Sequence, residues 1–436
     1  MVHRVHRVHR KRPVIAGCIV LALLMSVLFA CPSAPKPAAG PVNFLNYVPA
    51  VADRENDAYP PEPMADKTAF RYFADEKISV GWNLGNTLDS HSGGVGGETN
   101  WGNPAPNQTL MNGVKAAGFD IIRIPVTWMG HIGPAPDHRV SEERLKRVAE
   151  VVDMARKAGL KVIINLHHDG STPSLSKEEG WLSVTKASRD PEAHDRITHQ
   201  YVRLWAQIAR YFKNYGEWLM FESLNEIHDG GWGWSPGFKS NPSFQLNVLN
   251  EWNQLFVDKV RSTGGNNALR YLITPGYCTR PEQTSGDNFV LPKDSAAGKQ
   301  VVTFHYYEPS TYAIEGKRSD WGTADDKSRV TSDFAPFRPK FINNSIPVII
   351  GEAGAARQLY PGDAAKENTA RLARLDYLSW VFSRAKINGL VPLYWDNGVT
   401  TGAGEEKFGL LNRQNGQPNS AESRACIEAM INASKR

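Results

Sequence analysis

From residue 68 onward, short apolar runs alternate with longer stretches whose apolar positions recur every three or four residues. The first pattern is that of buried strands, the second that of amphipathic helices packed on them. Eight strand-like runs are expected, at 78–84, 121–125, 162–166, 218–221, 271–274, 301–304, 348–350 and 390–394. The helices between them carry start and stop signals. Ser141 precedes a helix with Leu145, Val148, Val151 and Met154 on one face and Gly159 after it. Asp190-Pro191 supplies a cap and a first-turn proline, and Gly264-Gly265 and Gly389 close two more helices. Eight strand–helix units in series predict an α/β fold, a single (β/α)8 TIM barrel over 68–436, rather than an open doubly wound sheet.

Composition agrees with one large core: of 436 residues, 41% are apolar and 22% charged. The N-terminus stands apart. Residues 3–12 are basic and 13–30 nearly all apolar, the two regions of a signal peptide, expected over 1–31. A membrane-anchor helix is the competing reading, and the run is short for one. Leu28-Phe-Ala-Cys31 resembles a lipobox, so a lipid anchor at Cys31 competes with simple cleavage. Both readings predict an exported protein, extracellular or held at the cell surface or outer membrane as a lipoprotein. Residues 32–67, rich in proline and alanine, read as a tether. The formal charge of +5 comes from Arg4, Arg7, Arg10, Lys11 and Arg12; beyond the leader, 45 basic residues meet 45 acidic ones. No footprint for nucleic acid remains. Cys278 and Cys426 are the cysteines of the body, and their pairing is left open. A monomer is expected.

The ends of the expected strands are polar: Asn86, Arg123, His167-His168-Asp169, Asn225-Glu226, His305 with Tyr307, Glu352, and Trp395-Asp396-Asn397. In such barrels chemistry belongs to the C-terminal strand ends. Arg123 alternates with Ile122 and Ile124, so it points into the barrel, where Glu352 or Glu222 supplies its anion. Glu222 lies deeper in its strand than Glu226 and reads as a paired core carboxylate. His167 and His168 suit hydrogen bonds to sugar hydroxyls better than a metal, and no metal or organic cofactor is expected. His305 and Tyr307, two apart, both face the mouth, which places Tyr307 on one carboxylate and His305 on the substrate or the other. Trp181, Trp232, Trp234, Trp321 and Trp395 fall at strand ends or in loops, where aromatic faces suit sugar rings. Two carboxylates at one rim, Glu226 and Glu352, make a glycosidase acid and nucleophile.

The motifs Gly-Trp-Asn-Leu-Gly-Asn-Thr-Leu-Asp at 81–89, Arg-Ile-Pro-Val-Thr-Trp at 123–128, Asn-Leu-His-His-Asp at 165–169, Asn225-Glu226, His-Tyr-Tyr at 305–307, Gly351-Glu352 and Tyr-Trp-Asp at 394–396 resemble glycoside hydrolase family 5, from about residue 81 to 413. The resemblance implies Glu226 as acid/base and Glu352 as nucleophile, with Arg123, His167, Asn225, His305, Tyr307 and Trp395 completing the site and Asn225 on the sugar's 2-hydroxyl. Ile227 stands where many members have proline, which points to a bacterial branch of endoglucanases and xyloglucanases. The expected activity is that of an exported retaining endo-β-1,4-glucanase whose partner is a cell-wall polysaccharide. The rivals are the same chemistry on xyloglucan, mixed-linkage glucan or mannan, and a silent glycan-binding surface lipoprotein.

Overall fold

The computed structural model describes residues 43–56, 58–170, 180–402 and 406–435. Eight parallel strands close into a barrel: β1 (Gly81–Leu84), β2 (Ile121–Ile124), β3 (Lys161–Asn165), β4 (Leu219–Glu222), β5 (Leu272–Pro275), β6 (Gln300–Tyr306), β7 (Val348–Ala353) and β8 (Leu390–Asp396). Each expected run is present, with ends displaced by at most three residues. Around the barrel stand α2 (Gln108–Ala116), α3 (Glu142–Lys157), α4 (Pro191–Tyr211), α5 (Pro242–Ser262), the short α6 (Pro281–Ser285), α7 (Ala324–Phe334), α8 (Ala364–Asn388) and α9 (Ala421–Lys435); α1 (Ala69–Asp75) precedes them all. The caps are those the sequence signals. Ser141 accepts from the Arg144 N–H, Asp190 from that of Glu192, and Gly389 ends α8 at φ +78°.

Strand alternation divides the core in two. Outward residues such as Ile122, Ile124, Val302 and Phe304 pack beneath the helices. Inward residues differ along the barrel axis. The lower half is apolar, with Ile121, Ile163, Met220, Ile273, Val301, Ile349 and Leu393 in one cluster, closed from below by Ala69, Tyr72 and Phe73 of α1. The upper half carries Asn83, Arg123, Asn165, Glu222, Thr303, His305 and Glu352, all at most 5% exposed. Burying that many polar groups is tolerable only where they satisfy one another.

The expected leader, its Cys31 and residues 32–42 of the tether lie outside the described residues. The rest of the expected tether packs along the barrel flank. Phe44 is buried beside His194, and the Leu45 carbonyl accepts from Lys259 at 2.6 Å. The Tyr47 hydroxyl donates to Asp137 at 2.6 Å, and Tyr59 stacks on Tyr215 with centroids 3.8 Å apart. Asp53 takes both Nη groups of Arg203, at 2.6 and 3.1 Å, in a pair exposed by 6% and 3%. Proline and alanine give the segment a linker's composition, while spaced aromatic and acidic anchors fasten it. Cys278 and Cys426 are separate buried thiols. Among the described residues no helix is long and apolar enough to cross a membrane.

Asp53→Ala leaves the Arg203 guanidinium buried without its carboxylate. It should cost about 3–5 kcal/mol of unfolding free energy, read by denaturant titration. An unchanged midpoint would show that the strap adds nothing to the fold.

Candidate active site

Arg123, one residue before the end of its strand, lies fully buried at the barrel axis, and four acceptors surround its guanidinium. Nε donates to Glu222 at 2.7 Å, Nη1 to Glu352 at 2.7 Å and to Asn83 Oδ1 at 3.1 Å, and Nη2 to Asn225 Oδ1 at 2.8 Å. Both carboxylates that alternation offered as partners are therefore engaged. Glu222 also accepts from Asn165 at 2.9 Å, as a paired core carboxylate.

Glu352 owes its aim to a β-bulge. Along β6, Phe304 faces Ile350 but His305 faces Glu352; along β8, Pro392 faces Ile350 but Tyr394 faces Ala353. Gly351 is thus the extra residue on β7, and the bulge turns the next side chain inward. Glycine is required there, because a Cβ would lie 2.8 Å from Thr303 Oγ1 and 3.0 Å from His305 Nε2. The Gly351 carbonyl accepts from Asn83 Nδ2 at 2.8 Å. Asn83 therefore fixes both the bulge and the arginine behind the carboxylate. Strand alternation marks it as inward-facing, between the outward Trp82 and Leu84, a signal the motif reading passed over. The Tyr307 hydroxyl donates to the other oxygen of Glu352 at 3.0 Å.

Glu226 stands four residues beyond the end of β4, its side chain 21% exposed. His305 Nδ1 is 2.7 Å from its Oε1 and 3.6 Å from Glu352 Oε2. An oxygen of Glu226 and one of Glu352 approach within 4.8 Å. Burial raises the Glu226 pKa to about 7 against the pull of Arg123. Burial also raises that of Glu352, opposed by His305 and Arg123. One guanidinium shared between two carboxylates offsets only part of that cost. His305 falls to about 4 through burial, so at neutral pH it is uncharged.

The two glutamates open onto a cleft of about 710 Å³ shared with His167, His168, Asn225, His305, Tyr307, Trp232, Trp234 and Trp395. His167 stacks parallel to Trp395, 5.8 Å between centroids. Trp232 stacks on His228 at 4.2 Å and stays 49% exposed. Three expected members lie elsewhere. Asn86 occupies a left-handed turn at φ +55°, its N–H donating to Asp89. Trp181 is tied by its indole N–H to Asp169 at 2.8 Å. Trp321 is buried against Tyr377. Several lining residues escaped the sequence reading, among them Thr279, in a loop without a motif, and Glu406, beyond the last strand.

A closed (β/α)8 barrel with two carboxyl groups facing each other across an aromatic-walled cleft at its mouth is a glycoside hydrolase of the cellulase type. The profile described as cellulase (glycosyl hydrolase family 5) matches residues 88–400, and the chain belongs to that family. Endoglucanase B of Clostridium cellulovorans is 35% identical over 78% of this chain and 71% of its own length. A xyloglucan-specific endo-β-1,4-glucanase of Bacteroides ovatus is 34% identical over 85% of this chain and 71% of its own. The solved broad-specificity endoglucanase from Bacteroides salanitronis aligns at TM-score 0.75 and 41% identity, covering 83% of this chain and 94% of that one.

Asn83→Ala should lower kcat roughly 10–100-fold with KM within a few-fold, because the bulge and Arg123 lose their shared tie. A kcat within twofold of wild type would show that the bulge stands without it. Glu226 also predicts a stability effect. Its folded pKa, about 7, lies above the ordinary glutamate value of about 4.3. Its favourable contribution is complete below the lower value and is lost as pH rises toward the higher. Glu226→Gln should therefore melt a few degrees above wild type at pH 8, a gap that closes near pH 4. A gap independent of pH would refute this.

Proposed function

We propose that the protein is an exported, retaining endo-β-1,4-glucanase acting on plant cell-wall β-glucans. The observation that carries this reading is the unequal pair in the cleft. Glu226, with a pKa raised to about 7, is protonated in slightly acidic water, while Glu352, within 4.8 Å, is held by Arg123 and Tyr307. An inverting pair stands ~6.5–9.5 Å apart to admit water, and a retaining pair ~5–5.5 Å. The close approach supports retention.

In the first step Glu352 attacks the anomeric carbon while Glu226 passes its proton to the departing oxygen. The C1–O bond to the leaving sugar breaks, and a C1–O bond to Glu352 forms. Tyr307 and Arg123 keep one Glu352 oxygen each in hydrogen bonds, which fixes the attacking geometry. In the second step Glu226, now ionised, draws a proton from water, whose oxygen displaces Glu352. With its Oδ1 committed to Arg123, Asn225 has its amide N–H groups for the sugar's 2-hydroxyl. Trp395 supplies an apolar face for the ring that is attacked. No step calls for a cofactor.

A second reading, xyloglucan as the preferred chain, is favoured by relatives named for that substrate, among them the Bacteroides ovatus enzyme and a family 5 xyloglucanase from Paenibacillus pabuli. Export rests on the basic and then apolar leader, and a lipid anchor on the Cys31 motif.

Soluble β-glucans, xyloglucan included, should be cut internally by wild type, with the β-anomer first in proton NMR; an initial α-anomer would falsify retention. Glu352→Ala should lose at least about 10⁴-fold in kcat on every chain the wild type cuts. Binding without turnover on all of them would instead favour a silent glycan-binding protein. The kcat/KM profile should be bell-shaped, its basic limb near pH 7 and its acid limb above the ordinary glutamate value. Activity undiminished at pH 9 would exclude Glu226 as the acid.

A further inference from the structure

The loop after β5 is strained where it meets Glu226. Cys278 and Thr279 take φ of +56° and +48° in succession. That region is unfavourable for any residue with a Cβ, most of all a β-branched one, and it persists only where surrounding bonds impose it. Here they do. The Cys278 N–H donates at 3.1 Å to the carbonyl of Ile227, the residue directly after Glu226, and the Thr279 N–H donates at 3.0 Å to Gly276. At Gly276 a Cβ would lie 2.5 Å from Thr284 Oγ1, so the turn is crowded from the α6 side as well. The outcome is a fully buried threonine hydroxyl in the wall of the cleft. It donates to the Cys278 carbonyl at 2.7 Å and lies within hydrogen-bonding reach of the Glu226 carboxyl.

A hydroxyl has one proton and two lone pairs, so it can donate to only one of these acceptors at a time. We propose that Thr279 is a positioning residue for Glu226, a hydroxyl switch that follows the carboxyl through the two half-reactions. While Glu226 holds its proton, the Thr279 O–H rests on the Cys278 carbonyl and leaves the carboxyl proton free for the leaving oxygen. Once Glu226 has given that proton up, the Thr279 O–H rotates onto the carboxylate and holds it for the incoming water. No proton leaves Thr279, and no bond other than hydrogen bonds changes. The left-handed backbone gives the switch its second acceptor, because it brings the carbonyl of the preceding residue to the hydroxyl. Thr279 lies outside every motif named in the sequence analysis. The inference rests on Glu226 being the acid/base.

Other charges bear on Glu226. Arg123 and Glu222 face it from β2 and β4, His305 from β6 and Glu352 from β7. Tyr307, Glu406 and the Cys278 thiol approach from the loops. Thr279→Val leaves all of them in place and keeps the β-branched shape, removing only the donor. A donor to the carboxylate favours its ionised form, so its loss makes Glu226 harder to ionise. The basic limb of kcat/KM should then move up by roughly half to one pH unit. Thr279→Ser should restore the wild-type limb.

If Thr279→Val does not accumulate as folded protein, Thr279→Ala read by the same profile and by carbon-13 titration of the Glu226 carboxyl takes its place. A limb unmoved in the folded variant overturns the switch, and so does a Ser variant that shifts as Val does, since packing would then be the cause. Glu226→Gln separates the two claims. If the basic limb survives Glu226→Gln, the acid/base reading fails; if it vanishes there yet stays put in Thr279→Val, only the switch fails.

Discussion

One positive charge at the barrel axis organises this site. Arg123 is fully buried, and a guanidinium in that position must be met by anions and acceptors at every N–H it can present. Three carboxylates lie near it, and the guanidinium treats them unequally. Glu222 is bound at Nε beneath the site, and Glu352 at Nη1 within it. Glu226 feels the charge without a hydrogen bond to it, and burial raises its pKa to about 7. The different settings of two chemically identical side chains thus reflect their different distances from one cation, and the remaining polar groups of the upper barrel complete the arrangement.

The barrel was legible because its strands are buried on both faces and so short that apolar runs cannot hide as anything else. The glutamates were legible for the converse reason: each follows such a run, where a charge is conspicuous. The spacing of His305 and Tyr307 put Tyr307 on one carboxyl group and left His305 between the substrate and the other, and in the structure His305 meets Glu226. Geometry within a strand was less accessible. The bulge at Gly351 leaves no trace in a pattern, because an extra residue counts as an ordinary one until the neighbouring strands are aligned. Asn83 was passed over in a motif whose later asparagine, Asn86, was the one named; Asn86 occupies a left-handed turn. Trp181 and Trp321 show the limit of reading aromatics from loops, since an indole that finds a buried partner is lost to the cleft. Thr279 offered no signal at all, its importance residing in a backbone conformation.

The division of the barrel interior explains how such a polar site is held still. Beneath the buried network lies a layer of branched aliphatic side chains with α1 across its base, so the polar groups rest on a packed floor. Above it the cleft is open and walled by indoles. Rigidity below and access above combine hydrogen bonds of 2.7–3.0 Å around Glu352 with an open cleft over it.

The strap along the barrel flank bears on the order in which the molecule is completed. Asp53 meets Arg203 across 150 residues of sequence, and Leu45 meets Lys259 across 214. These residues leave the ribosome early, yet the surfaces that receive them are made much later, so their docking closes some of the longest loops in the fold. Until α4 and α5 are packed, the aromatic anchors Phe44, Tyr47 and Tyr59 have nowhere to bury. A chain broken off before α4 would therefore display those three rings to solvent, a mark by which proteases and chaperones can tell an unfinished barrel from a finished one.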